Sequence, residues 1–172
     1  MNKSEKTVLV LKQRQLSLKM MYFNRYLFIR YLTAGFFFSN LYWTVLLFLT
    51  GSKLWGIPLL LLLASLSAIA EQTKLYRQPK NTVPWTKGYY WLQIVSNVLV
   101  LLAIWTPAFN VLFSFIEPGN VGRALSISLL TCGVLFALLV EQRLKKIQDN
   151  RDQPYQQIKA YESILDLSEE NE

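Results

Sequence analysis

The sequence predicts an all-α integral membrane protein, a four-helix bundle with its N- and C-terminal tails in the cytoplasm. Three observations carry this expectation. Hydrophobic residues other than glycine make up 52% of the 172 positions and charged residues 17%, against about 45–50% apolar, glycine included, and about 25% charged in an ordinary soluble domain. The charges are bunched, leaving four uncharged intervals long enough to cross a bilayer. The cationic excess, a net charge of +7, is concentrated on one set of connections. Disorder, a collagen-like fibre and a disulfide scaffold are excluded by the same composition.

The intervals follow from the cost of a charge at mid-bilayer, about 2.5–3.5 kcal/mol on insertion scales. Arg30 and Lys53 bracket 22 uncharged residues, and Lys53 and Glu71 bracket 17. Lys87 and Glu117 bracket 29, and Arg123 and Glu141 bracket 17. A span needs about 20 residues for a core of about 30 Å, with about 17 the lower limit. The expected spans are therefore 31–50, 54–70, 89–106 and 124–140. The third interval is too long for one straight span, and Pro107 supplies the break. Residues 107–123 become a kinked or interfacial external connection, with Glu117-Pro118-Gly119-Asn120 as a turn. Pro58 falls in a first helical turn, where its missing N–H is harmless.

Even numbers of spans put both tails on one side, and the cations choose the side. Residues 1–30 form a basic tail with Lys12, Arg14, Lys19, Arg25 and Arg30, and the 71–88 loop carries Lys74, Arg77, Lys80 and Lys87. The two other connections carry one cation each, Lys53 and Arg123. The positive-inside rule therefore makes the tails and the 71–88 loop cytoplasmic, in a multi-pass cell-membrane protein. These nine cations are the expected topology and headgroup contacts, at about 1 kcal/mol per residue near anionic lipid. The N-tail shows no clean amphipathic stripe. The first continuous helix is expected near Asn24, with Arg25 and Arg30 snorkelling to the headgroups. Trp85, Tyr89, Tyr90 and Trp91 mark the inner interface, and Trp55 and Trp105 the outer one. The first 30 residues are too long and too basic for an ordinary secretory leader, so no cleavage is expected.

The C-tail, residues 141–172, divides at Pro154. A charged continuation of the fourth helix precedes it, and a short amphipathic helix placing Ile158, Tyr161 and Leu165 on one side follows. Its acidic end and the basic N-tail are of opposite sign, which permits an electrostatic contact, although two solvated tails are the plainer expectation.

The chain has no histidine. Imidazole acid/base catalysis, His-dependent nucleophiles and HExxH metal sites are thereby excluded. The single cysteine, Cys132, lies in an apolar run and reads as a small buried hydrophobe. Glu71, Glu117, Glu141 and Asp149 form no acid/base or metal-binding spacing, and no phosphate loop is present. No catalytic residue, metal or cofactor is expected, and the basic residues carry no nucleic-acid motif.

Polar residues inside the spans are the remaining pointers. Asn40 and Thr44 share one helix face, as do Gln93 and Asn97, with Ser96 between them. They are expected to clamp the first and third helices together, or else to line a polar path. Ala64 with Ala68, and Gly133 with Ala137, have the small-xxx-small spacing that lets helices approach closely, within the bundle or against a second protein. The expected role is that of a small bacterial, non-enzymatic accessory or regulatory subunit of a larger membrane assembly. Its partners would be the bilayer, anionic headgroups and another membrane protein or a second copy. A transporter or channel component, and a membrane immunity factor, are the alternatives.

Overall fold

The computed structural model of the protein describes residues 16–18, 20–75 and 81–170. Regular structure there is wholly helical: α1 (Leu27–Leu49), α2 (Gly56–Lys74), α3 (Pro84–Ala103), the single turn α4 (Phe109–Leu112), α5 (Asn120–Gln148) and α6 (Gln153–Glu170). Three segments are long and apolar enough to cross a membrane: α1, α2 and the run that begins at Asn120. α3 is 20 residues long, but Lys87, Gln93, Asn97 and its tyrosines and tryptophans dilute its apolar character. Lys12, Arg14, Lys19, Arg77 and Lys80 lie outside the described residues.

The helices run past the expected spans at the start of α1, the end of α2, the start of α3 and both ends of α5. By contrast α1 stops at Leu49, α2 begins at Gly56 and α3 ends at Ala103, short of the expected 50, 54 and 106. A helix does not stop where hydrocarbon would. Its ends are set by capping. α1 finishes in a Schellman turn: Gly51 has φ +68°, Gly51 N–H donates to Phe48 O at 3.1 Å and Ser52 N–H to Leu47 O at 3.0 Å. Glycine adopts this left-handed conformation without Cβ strain. α5 ends in the same device, with Asn150 at φ +54° and Arg151 N–H donating to Lys146 O at 2.9 Å. α6 then starts at Gln153, with Pro154 in its first turn, where proline is tolerated. α3 has Pro84 at its start and a cap from a neighbouring helix: Glu71 of α2 accepts from Trp85 N–H at 3.2 Å and Thr86 N–H at 2.7 Å. The carboxylate satisfies two orphan amides and opposes the positive end of the helix dipole.

α1 packs on α2, α2 on α3 and α3 on α5, whereas α1 and α5 meet at only a few positions. One core joins Ile29 and Phe36 of α1, Ala68 of α2, Tyr90 and Ile94 of α3, and Ala137 and Val140 of α5, with Ala64 packed against it. Three of the four small residues, Ala64, Ala68 and Ala137, thus belong to this packing. A second core gathers Val100, Ile104, Phe109, Leu112, Phe113 and Leu130. It tucks the connection after Pro107 under the bundle end. Trp43 anchors that connection, donating its indole N–H to Leu112 O at 2.9 Å and stacking on Phe113 at 5.9 Å.

Beside these apolar cores, the packed helices bury polar side chains and expose large apolar ones. Leu49, Leu60, Leu102 and Leu129 face outward, while Thr33, Asn40, Ser65, Gln72, Gln93 and Asn97 are buried. Such a surface fits hydrocarbon, and polar groups withdrawn from it find partners inside. Trp55, Trp85, Trp91 and Trp105 are exposed, but Tyr89 and Tyr90 turn into the core.

Candidate functional site

Two tiers of polar side chains cross the interior. In the first, Thr33 of α1 donates to Ile29 O at 2.8 Å, accepts from Gln72 Nε2 of α2 at 3.0 Å, and lies 3.0 Å from the Tyr90 hydroxyl of α3. Three helices therefore share one hydroxyl. In the second tier Gln93 is central. Its Oε1 accepts from Asn40 Nδ2 of α1 at 3.0 Å and from Tyr89 OH at 3.3 Å, and its Nε2 donates to Asn97 Oδ1 at 3.0 Å. Of the five residues expected to form a polar cluster, Asn40, Gln93 and Asn97 are brought together. Thr44 returns its hydroxyl to Asn40 O of its own helix at 2.7 Å, and Ser96, half-buried, stays out of the chain of hydrogen bonds.

The row ends on an unused donor. Asn97 Nδ2 has no acceptor among the described residues, and it stands against α5 at Gly133, where a Cβ would come within 2.7 Å of it. Glycine is needed here for close approach rather than for backbone freedom. Gly133 thereby lets α5 approach the amide of α3.

Beside this row the bundle is open. Because α1 and α5 diverge, a groove of about 900 Å³ runs between them, with Asn40, Gln93, Asn97 and Gly133 among its lining residues. Its walls are apolar: Leu32, Phe36 and Leu46 on α1 face Leu125, Leu129 and Phe136 on α5. Phe113 and Ile116, from the connection that Trp43 anchors, also line it. Cys132 lines the groove and is exposed, which corrects the expectation of a buried cysteine. Its position on α5 faces the gap that α1 leaves.

The cations divide by structure rather than by sequence position. Arg25, expected to snorkel, is only 1% exposed. The chain turns at Arg25-Tyr26, just before α1. Arg25 Nε donates to Asp152 Oδ2 at 2.6 Å, and Nη2 pairs with Oδ1. Nη1 reaches Asn81 Oδ1 at 3.0 Å, and Nη2 reaches Ile147 O and Asn150 Oδ1 at 2.9 Å each. Tyr155 covers the guanidinium at 4.8 Å. Arg30 lies over the Phe23 ring at 3.4 Å and donates to Gln72 O at 3.3 Å. Lys74 and Lys87 are exposed. Nothing in the local sequence marks Arg25 apart from Arg30, since its partners come from positions 81 to 155.

The described residues contain no group of three or more Cys, Asp or Glu side chains placed to hold a metal ion. Chemically the arrangement offers an apolar slot with a row of amides in its floor. Comparison with protein-family models, with curated proteins and with solved structures finds no match for this chain.

Proposed function

We propose that the protein is a four-span membrane protein with cytoplasmic termini, and that it acts without chemistry of its own as an accessory subunit. Its groove between α1 and α5 would receive one transmembrane helix of a larger membrane protein. The observation that carries this reading is the open seam itself, an apolar groove ending on the unmatched Asn97 amide. α3 serves as the fourth span in this reading, its polar residues sheltered between α2 and α5. The distribution of Lys and Arg supports cytoplasmic ends.

The shape of the groove favours a helix over a lipid chain as occupant. From Leu32 to Leu46 on α1, at about 1.5 Å per residue, it runs about 21 Å. One leaflet contributes about 15 Å of the roughly 30 Å core, so the occupant passes the midplane. A helix carrying a carbonyl or hydroxyl at the depth of Asn97 would accept its free N–H, and small residues on that helix would permit close contact. The role as a transporter or channel component draws on the same polar row, but those amides are hydrogen-bonded to one another rather than left to solvate a path.

Ser39→Trp fills the groove from the α1 wall and provides the test. The expected result is reproducible co-purification of one larger membrane protein in mild detergent, cross-linked through Cys132 in intact membranes and lost with Ser39→Trp at unchanged helix content. Isolation as a stable homo-oligomer that moves a solute after reconstitution would overturn the reading, as would co-purification that Ser39→Trp leaves intact. Orientation is tested separately: a reporter fused after Glu172 should be active only if it works in the cytoplasm.

A further inference from the structure

A second, smaller hollow of about 320 Å³ lies where α1 begins and α5 leaves its apolar stretch, between Phe28 of α1 and Leu139, Gln142, Arg143 and Lys146 of α5. Its composition is unlike that of the groove. Phe28 and Leu139 are exposed apolar walls, and Arg143 and Lys146, one turn apart on α5, bring two positive charges to the same face. Arg143 is only half-exposed, and its Nε is shielded from solvent with no acceptor among the described residues. No acidic side chain among those residues pairs with Arg143 or Lys146. A shielded guanidinium N–H without an acceptor is costly, and an anion between the two cations would satisfy it with charge-assisted hydrogen bonds.

We propose that this hollow binds the headgroup of an anionic phospholipid. The phosphate lies between Arg143 and Lys146, Gln142 contributes an amide, and an acyl chain lies against Phe28 and Leu139 at the mouth of the α1–α5 groove. A free anion would use the two cations alone. The apolar walls continuous with the membrane-facing surface favour an anion that carries a hydrocarbon chain. Leu32, one turn from Phe28, and Phe136, one turn from Leu139, extend that surface into the groove. Lys145, next in sequence to Lys146, does not line the hollow. The proposal rests on the membrane placement given above and is independent of the partner helix.

The test is thermal unfolding of the delipidated full chain in uncharged detergent, with phosphatidylglycerol, phosphatidylcholine or inorganic phosphate added. Phosphatidylglycerol is expected to raise the Tm of the wild type and of Lys145→Gln, while phosphatidylcholine is not. Arg143→Gln combined with Lys146→Gln should lose that rise at unchanged helix content. An equal response to phosphatidylcholine, an undiminished response in the double variant, or full reproduction of the rise by inorganic phosphate would overturn the assignment. If the double variant does not fold, Lys146→Gln alone decides at its exposed position: a reduced rise supports the site and an unchanged rise overturns it. Failure here leaves the reporter and co-purification results standing, so the two readings separate.

Discussion

Arg25 and Asp152, 127 positions apart in the chain, form an ion pair in which neither side chain retains exposed surface. It ties the segment before α1 to the junction of α5 and α6, and Asn81, from the α2–α3 connection, joins through its hydrogen bonds to Arg25 and to Asn150 Oδ1 at 3.1 Å. A buried charge is tolerated because its neighbours replace the lost water. All three guanidinium nitrogens of Arg25 have an acceptor.

Removing one partner strands the other. Arg25→Met and Asp152→Leu are each expected to lower stability by about 3–5 kcal/mol. The double variant should lose less than the sum of the two. Denaturant unfolding in detergent measures the cycle, and additive losses would show that the pair is not coupled.

Gln93→Leu deletes the central amide of the second tier and leaves Asn40, Tyr89 and Asn97 without their shared partner. A loss of about 1–2 kcal/mol is expected, in the range of interhelical hydrogen bonds in membranes. Thr44→Val, whose hydroxyl only returns to its own helix, should cost clearly less under the same unfolding measurement.

Gly133→Ala places a methyl group where Asn97 Nδ2 stands. Asn97 can swing toward the groove it lines only by straining its hydrogen bond to Gln93, so a cost of about 0.5–1.5 kcal/mol follows. Asn97→Ala in the same chain should restore part of it. No recovery in the double variant would place the strain elsewhere.

Tyr26, next to Arg25 and 3% exposed, has its hydroxyl pKa pushed up from 10.0 to about 12, chiefly by burial, with Arg25 opposing and the carboxylates of Asp152 and Glu71 adding to the rise. The folded state therefore keeps a proton that the unfolded chain releases. The stability linked to this group is whole below pH 10 and is lost as the pH climbs from 10 to 12. Tyr26→Phe should flatten that part of the stability profile, and an unchanged slope would exclude Tyr26 as its source.

Helical character and apolar segments were legible in the sequence because both depend on composition along the chain, where a run of uncharged residues needs no distant information. The shared faces of Asn40 with Thr44 and of Gln93 with Asn97 were legible for a related reason, since residues four apart on a helix share a side whatever lies opposite. A contact between the first and third helices was expected from them, but the particular pairing of Asn40 Nδ2 with Gln93 Oε1 was not legible, because it depends on how the two helices pack. The junction at Pro154 could be expected from the ring of proline, whereas the turn that aims Asp152 depends on Asn150 closing the end of α5.

By itself the sequence determined an all-helical, strongly apolar chain without histidine, with its cations gathered on particular connections. Those properties are local sums, of hydrophobicity, charge and residue type, and they hold in any fold. Only the tertiary structure decided that Arg25 is buried while Lys74 and Lys87 are exposed, that Cys132 is exposed, and that α1 and α5 part to leave a groove. Each of these depends on what a residue distant in the chain brings to the same place, and burial, pairing and open space exist only once helices have chosen their neighbours.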